Sequence, residues 1–135
     1  MTRIPLRVVV GLAVAALVVS PSAIARSGGA KLLTTVTVTA GKPTEFHFIV
    51  SPSTAKRGVI VFKITNKGAL PHTFSLCSAR NKPLANSCTG RSTNQINPGQ
   101  SSTLRVSVVL KGTYEYLCTL PGHAAGGMKG LLKVT

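Results

Sequence analysis

Apolar and polar residues alternate with a period of two along much of the chain, and this pattern leaves few folds open to it. In Leu32–Ala40, Val36 and Val38 share one face while threonines occupy the other. Such alternation is typical of a β-strand with one buried face. Comparable short segments follow, namely Thr44–Val50, Val59–Asn66, His72–Leu76, Thr103–Leu110, Thr113–Cys118 and Met128–Val134. The chain therefore predicts an all-β domain of about seven short strands without a helix.

The same alternation assigns side chains to the two faces of each strand. In Thr44–Val50 it places Phe46 and Phe48 inside and Glu45 and His47 outside. In Thr103–Leu110 it places Leu110 inside, as the last apolar residue of the strand. Aromatic residues make up only 4% of the chain, so we expect the core to be built mainly from Val, Leu and Ile, which favour strands.

The N-terminus has the features of a secretory signal peptide. Arg3 and Arg7 form a basic start, Val8–Val19 is an apolar run of 12 residues, and Ala23–Ala25 offers small residues for cleavage. The apolar run is shorter than the about 20 residues that span a membrane, although an uncleaved anchor remains the alternative. We predict a signal peptide over residues 1–25, a flexible lead-in over 26–31 and one folded domain over 32–135, located outside the cytoplasm.

A cluster of metal-binding residue types lies near the C-terminus. Cys118, His123 and Met128 follow one another in the spacing C-x4-H-x4-M, and His72 lies in a second motif, N-x-G-x-x-P-H-x-F. Two histidines, one cysteine and a weak axial methionine form the ligand set of blue copper sites. Alone, His72 would be read as a core histidine. The remaining histidine, His47, is expected to be partly exposed on its strand.

These two motifs resemble those of the cupredoxins, the plastocyanin-like type 1 copper proteins. The resemblance rests on the motif around His72 and on G-x-Y-x-Y-x-C-x4-H-x4-M-x-G around Cys118. It implies a Greek-key β-sandwich with one copper ion at one end, cycling between Cu(I) and Cu(II) and carrying single electrons. The implied copper ligands are His72, Cys118, His123 and Met128.

The resemblance also implies roles for residues around the ligands. Thr73 stands where family members often have an asparagine that hydrogen-bonds the cysteine sulfur. The edge of His123 would reach the surface through an apolar patch and pass electrons to a partner. The residues of that patch would be Leu120, Pro121, Ala124 and Ala125. Tyr114, just after a turn, resembles a tyrosine corner, in which the hydroxyl bonds back to the preceding backbone.

The other two cysteines, Cys77 and Cys88, are expected to form a disulfide, because the domain is predicted to be extracytoplasmic. They flank part of Cys77–Asn97, a segment without periodicity that we interpret as a long surface connection. The alternative is a zinc site that uses all three cysteines and a histidine. The chain lacks the closely spaced cysteine pair that such sites usually contain.

The residue inventory argues against an enzyme. With no Asp and only two acids, Glu45 and Glu115, both predicted to point outward, neither a Ser-His-Asp triad nor a carboxylate pair is available. Once His72 and His123 are assigned to one copper ion, His47 alone cannot build a second, catalytic copper centre. The alternatives to an electron carrier are an extracytoplasmic copper carrier or storage protein, and an accessory subunit of a copper-dependent oxidoreductase.

The charge balance points to the kind of partner. The chain has 16 Lys and Arg residues against two acids, a formal net charge of +14. These basic residues are scattered and not clustered with aromatics, which argues against nucleic-acid binding. The charge suits acidic redox partner proteins or an anionic cell-envelope surface, and we expect a monomer.

Overall fold

The computed structural model describes residues 32–80, 88 and 91–135, so the predicted signal peptide (1–25) and the predicted lead-in (26–31) lie outside the described residues. Eight strands are present in the described part. In chain order they are β1 (Leu33–Ala40), β2 (Phe48–Ser51), β3 (Thr54–Ala55), β4 (Gly58–Asn66), β5 (Ser75–Arg80), β6 (Ser101–Val108), β7 (Gly112–Leu117) and β8 (Lys129–Val134). None of the described residues forms a helix long and apolar enough to cross a membrane.

The strands form two four-stranded sheets, ordered β2-β1-β4-β6 and β3-β8-β7-β5. The pairs β1–β4 and β3–β8 are parallel, and the other pairs are antiparallel. Because β4, β5, β6 and β7 alternate between the two sheets, the connections between them cross from one sheet to the other. This architecture confirms the predicted all-β Greek-key sandwich.

The core lies between the sheets and contains the side chains that the alternation placed inside. Val36 and Val38 of β1, Phe62 of β4 and Leu132 of β8 have no exposed surface. Phe74, which follows the histidine motif, packs against Phe62 with ring centroids 5.0 Å apart. Burial of such side chains stabilises the fold by roughly 1.5–3 kcal/mol each.

The predicted strand Thr44–Val50 is wrong in its first half. Strand β2 begins only at Phe48, and Phe46 is 37% exposed instead of lying beside Phe48 in the core. Residues 41–47 form a loop that is closed by a hydrogen bond from the Gly41 N–H to the His47 carbonyl oxygen, at 3.0 Å. An alternation of apolar and polar residues over so few positions cannot distinguish a short strand from a loop whose side chains contact other parts of the protein.

Two further expectations need correction. Leu110 is 53% exposed because β6 ends at Val108. Its carbonyl oxygen instead accepts a hydrogen bond from the Tyr114 hydroxyl at 2.9 Å, which confirms the tyrosine corner. The segment Cys77–Asn97 is not a surface connection throughout, because β5 continues to Arg80 and Ile96 is buried.

A disulfide joins Cys77 to Cys88. With Leu117 these two residues form a small second core, against which Ala124 packs. Since Leu117 ends β7 and Ala124 lies in the following loop, this cluster ties that loop to β5.

One glycine contact holds the 41–47 loop against the segment before His72. Gly41 has a φ of +75°, and a Cβ added there would collide with the backbone of Gly68. Gly99 has a similar φ of +79°, but a Cβ there would meet nothing within 4 Å. We expect Gly99→Ala to lower the free energy of unfolding by about 1–2 kcal/mol, the cost of a left-handed alanine.

Gly41→Ala carries the same backbone strain plus the collision, so we expect it to cost about 1–3 kcal/mol more than Gly99→Ala, as overpacking does. Urea unfolding of both variants measures the difference. Equal losses of unfolding free energy in the two variants would show that Gly41 does not contact Gly68 in solution.

Candidate metal centre

His72 is held by its backbone and closed off from solvent. Pro71 restricts the backbone before His72. The His72 N–H donates to the Ile96 carbonyl oxygen at 3.0 Å, and the Ile96 N–H donates to the His72 carbonyl oxygen at 2.7 Å. The His72 side chain has no exposed surface, as is also true of Phe74 two residues later. The imidazole therefore stands at the end of the core in one defined position.

The other three residues come from a single loop between β7 and β8. The Cys118 N–H donates to the Met128 carbonyl oxygen at 3.0 Å, and the Met128 N–H donates to the His123 carbonyl oxygen at 3.0 Å. Within the loop, Gly122 and Gly127 adopt positive φ values of 81° and 111°, which glycine tolerates best. These contacts bring Cys118, His123 and Met128 next to one another.

Three donor atoms converge where the loop meets His72. His72 Nδ1 lies 3.2 Å from His123 Nδ1, which lies 3.5 Å from Cys118 Sγ. All three lie within 4.8 Å of one another. Taking metal–nitrogen and metal–sulfur bonds of about 2.0 and 2.3 Å, as for zinc, two donors on one ion lie roughly 3.3–3.7 Å apart at tetrahedral to trigonal angles. The spacing therefore fits one metal ion.

The identity and burial of the donors favour copper over a hard cation. A thiolate and two imidazoles are soft and borderline donors. Cys118 is 1% exposed, and Met128 is fully buried in the same core cluster as Cys118. His47, by contrast, is exposed and outside the donor group. The alternative zinc site is wrong, because Cys77 and Cys88 are bonded to each other.

The cysteine sulfur receives polar contacts from Thr73. The Thr73 N–H donates to Cys118 Sγ at 3.4 Å, and its hydroxyl lies 3.6 Å from the same atom. That hydroxyl also accepts a hydrogen bond from the Thr119 N–H at 2.8 Å, which fixes its position. Thr73 thus occupies the position beside the sulfur that the resemblance implied for this residue.

Glu45 is a site residue that the sequence analysis missed. It was predicted to point outward, but its Oε1 lies 2.9 Å from His72 Nε2. The Ala69 N–H donates to its two oxygens at 3.1 and 2.9 Å, and the Leu70 N–H donates to Oε1 at 2.9 Å. These backbone N–H groups hold the pKa of the Glu45 carboxyl below its usual value, so the group is ionised at neutral pH. The prediction failed because Glu45 lies in a loop, where alternation carries no information.

His123 is the most exposed of the three converging residues, yet it too is braced. The neighbouring Phe46 ring meets its ring edge to face at a centroid distance of 4.9 Å. Burial, followed by the influence of His72, lowers the pKa of His123 below its usual value. The imidazole is therefore neutral at neutral pH, and a neutral imidazole is the form that binds a metal ion.

Comparison with known proteins supports this assignment. Residues 34–135 match the model of the copper binding proteins of the plastocyanin/azurin family. A stretch of 43 residues is 46% identical to auracyanin-B of Chloroflexus aurantiacus; it covers 32% of this chain and 18% of that protein.

Solved structures share the fold at lower identity. The structure of auracyanin B superposes with a TM-score of 0.60 and 22% identity, over 78% of this chain and 90% of that one. Rusticyanin from Thiobacillus ferrooxidans superposes with a TM-score of 0.57 and 22% identity, over 76% of this chain and 77% of that one. The family match extends over most of the chain and includes both motifs. This chain therefore belongs to the plastocyanin/azurin family of copper-binding proteins, the cupredoxins.

Proposed function

We propose that this protein is an extracytoplasmic electron carrier with one type 1 copper ion, bound by His72, Cys118, His123 and Met128. The observation that carries the proposal is the convergence of two imidazole nitrogens and one buried thiol sulfur within 4.8 Å. A copper ion held there takes up and releases one electron as it changes between Cu(II) and Cu(I). Membership of a copper-binding family supports the same function.

The rigidity of the donors suits repeated electron transfer. His72 is fixed by paired backbone hydrogen bonds to Ile96, and Cys118, His123 and Met128 are linked through their own backbone groups. Ligands that move little between the two oxidation states keep the energy of reorganisation small, so electrons exchange quickly. A protein that carries or stores copper needs ligands that open to release the ion. The full burial of His72 and Met128 opposes such release.

His123 is the proposed route for electrons. It is half-buried, and the side chains around it are apolar and partly or fully exposed. They are Phe46, Leu120, Pro121, Ala124 and Ala125. An apolar contact of this kind lets a redox partner protein approach closely without requiring one binding pose. We propose that electrons enter and leave here and that the chain itself is not an enzyme.

We propose the location and the redox partners of the protein from its predicted signal peptide, its disulfide and its net charge. The predicted signal peptide over residues 1–25 and the Cys77–Cys88 disulfide support a location outside the cytoplasm. The formal net charge of the full chain is +14, and it stays strongly positive without Arg3 and Arg7 of the predicted signal peptide. This charge supports acidic redox partners, and we propose that the protein acts as a monomer.

An anionic envelope surface is the second proposed contact, at the end of the sandwich opposite the donors. Gly58 pairs there with Val108, and the Val59 N–H donates to the Leu32 carbonyl oxygen. This end exposes four large apolar side chains and several basic ones, a combination that favours anionic lipid surfaces. The apolar residues are Leu32, Leu33, Val109 and Leu110, and the basic ones are Lys56, Arg57 and Lys111.

The colour of the copper protein tests the assignment of Cys118. With Cu(II) bound, the protein should absorb strongly in the visible range through its thiolate–copper bond, and a mild reductant should bleach this absorption. We expect Cys118→Ser to abolish it, because an alcohol is a poor ligand for copper. His47→Ala, which alters an exposed histidine outside the donor group, should leave the spectrum unchanged. A blue Cys118→Ser protein would refute the site.

The reduction potential tests the assignment of Met128. A thioether stabilises Cu(II) more than Cu(I), so we expect Met128→Leu to retain copper and raise the potential. A rise of about 60 mV corresponds to a tenfold change in the ratio of the two affinities. Redox titration followed at the visible band measures it. A lower potential in the variant would show that Met128 is not the axial ligand.

Electron-transfer rates test the His123 route and its electrostatic steering. We expect Ala125→Glu, on the exposed apolar patch, to slow the reaction with a small acidic redox protein about tenfold at low salt. Ser107→Glu adds the same charge to an exposed position on β6 near the opposite end and should change the rate far less. Stopped-flow measurements over a salt series should show the difference shrinking as the Debye length falls to about 8 Å. Equal rates for the two variants would contradict the route.

A further inference from the structure

The carboxylate of Glu45 reaches the metal centre from a loop that belongs to neither copper-ligand motif. Its Oε1 lies 2.9 Å from His72 Nε2, on the side of the ring away from the converging donors. Its two oxygens also accept the N–H groups of Ala69 and Leu70, the residues just before Pro71 and His72. One side chain therefore holds both the ligand ring and the backbone that leads to it.

The tautomer in which His72 binds a metal ion through Nδ1 requires such a partner. Its Nδ1 faces His123 Nδ1 at 3.2 Å and must keep its lone pair free to bind a metal ion. The proton of the neutral ring must then lie on Nε2, which needs an acceptor. Because the side chain has no exposed surface, water cannot supply one, and a buried N–H without a partner is costly. Glu45 supplies the acceptor and so selects this tautomer.

The space around the carboxylate is adapted to it. A Cβ added at Gly68 would collide with Glu45 Oε1, so only glycine leaves room for the carboxylate there. Gly68 is also the residue that Gly41, at the start of the Glu45 loop, approaches closely. The Gly41 N–H donates to the His47 carbonyl oxygen at 3.0 Å and closes that loop around Glu45. The carboxylate thus occupies a site built for it by two loops.

We propose that Glu45 is a positioning residue of the copper centre, which orients His72 and places one negative charge next to it to stabilise Cu(II) over Cu(I). The inference rests on the proposed function. It is notable for this chain because Glu45 is one of only two acids against 16 basic residues. The negative charge beside His72 lies where the charge of the ion changes by one unit. A carboxylate there favours the more positive oxidation state and lowers the reduction potential.

The test compares two identical substitutions, Glu45→Gln and Glu115→Gln. Each removes one negative charge with little change of shape, so the net charge rises equally in both. Glu115 lies in β7, paired with Leu131 of β8, and does not belong to the donor group of His72, Cys118 and His123. Copper affinities in both oxidation states, visible spectra and reduction potentials are measured for the wild type and both variants.

We expect Glu45→Gln to remain blue but to lose about tenfold in Cu(II) affinity relative to Cu(I) affinity, the range typical of partners of metal-binding histidines. A tenfold fall in the ratio of Cu(II) affinity to Cu(I) affinity corresponds to a rise of about 59 mV in the one-electron reduction potential. Glu115→Gln should change the ratio less than about twofold. Equal potentials in the two variants would overturn the inference, as would a Glu45→Gln protein that binds both oxidation states more weakly by the same factor.

A second measurement keeps the inference testable if Glu45→Gln does not fold. In the Cu(I)-loaded wild type, the His72 Nε2–H proton should give a separate NMR signal that exchanges slowly with water. A His72 Nε2–H that exchanges as fast as an exposed imidazole N–H would overturn the inference. A wild-type protein that never becomes blue would instead refute the proposed function, so the two failures are distinguishable.

Discussion

Three electron-rich donor atoms are held within 4.8 Å of one another at a site that is largely closed to water, and the surrounding structure keeps them there. The fold fixes the chain on both sides of these donors. His72 is bound to Ile96, and Cys118 is bound to Met128, through backbone hydrogen bonds. The backbone at this end of the sandwich therefore sets the positions of the donors.

Three loops meet at that end, and each is anchored to a different part of the fold. The loop after β7 is tied to β5 by packing of Ala124 against the cluster of Cys77, Cys88 and Leu117. The segment before His72 is bound by the side chain of Asn66, whose amide donates to the Leu70 carbonyl oxygen at 2.8 Å and to the Ile96 carbonyl oxygen at 2.9 Å. The 41–47 loop is held by its contact with Gly68.

The 41–47 loop connects the two histidines. Glu45 contacts His72, and the next residue, Phe46, packs against His123. Two adjacent residues of one loop thus place a carboxylate against one imidazole and an aromatic ring against the other. The carboxylate contacts the buried histidine, and the ring partly covers the histidine proposed to meet redox partners. Because Phe46 packs against His123 near the surface, it is partly exposed, whereas Phe48 lies in the core.

The all-β class, the inward faces of the long strands and the four donor residues of the metal centre follow from the amino-acid sequence alone. Val36, Phe62 and Leu132 were predictable because a strand with one buried face repeats every two residues. Cys118, His123 and Met128 were predictable from their spacing, because their donor types and the glycine turns between them are local features of the chain. His72 was added through the motif around it, which resembles that of the cupredoxins.

The residues that surround those donors depend on contacts between distant parts of the chain. Glu45 meets His72 across 27 positions of sequence, and the oxygen of Thr73 meets the Thr119 N–H across 46. Neither contact leaves a periodic signal, since each joins loops that have no regular pattern of their own. The ends of the strands also depend on tertiary contacts: β2 starts at Phe48, after the loop that carries Glu45, and β6 stops at Val108, before the turn in which the Leu110 carbonyl oxygen accepts a hydrogen bond from the Tyr114 hydroxyl. Alternation specifies which side of a strand is buried, but the meeting of distant loops depends on how the two sheets pack.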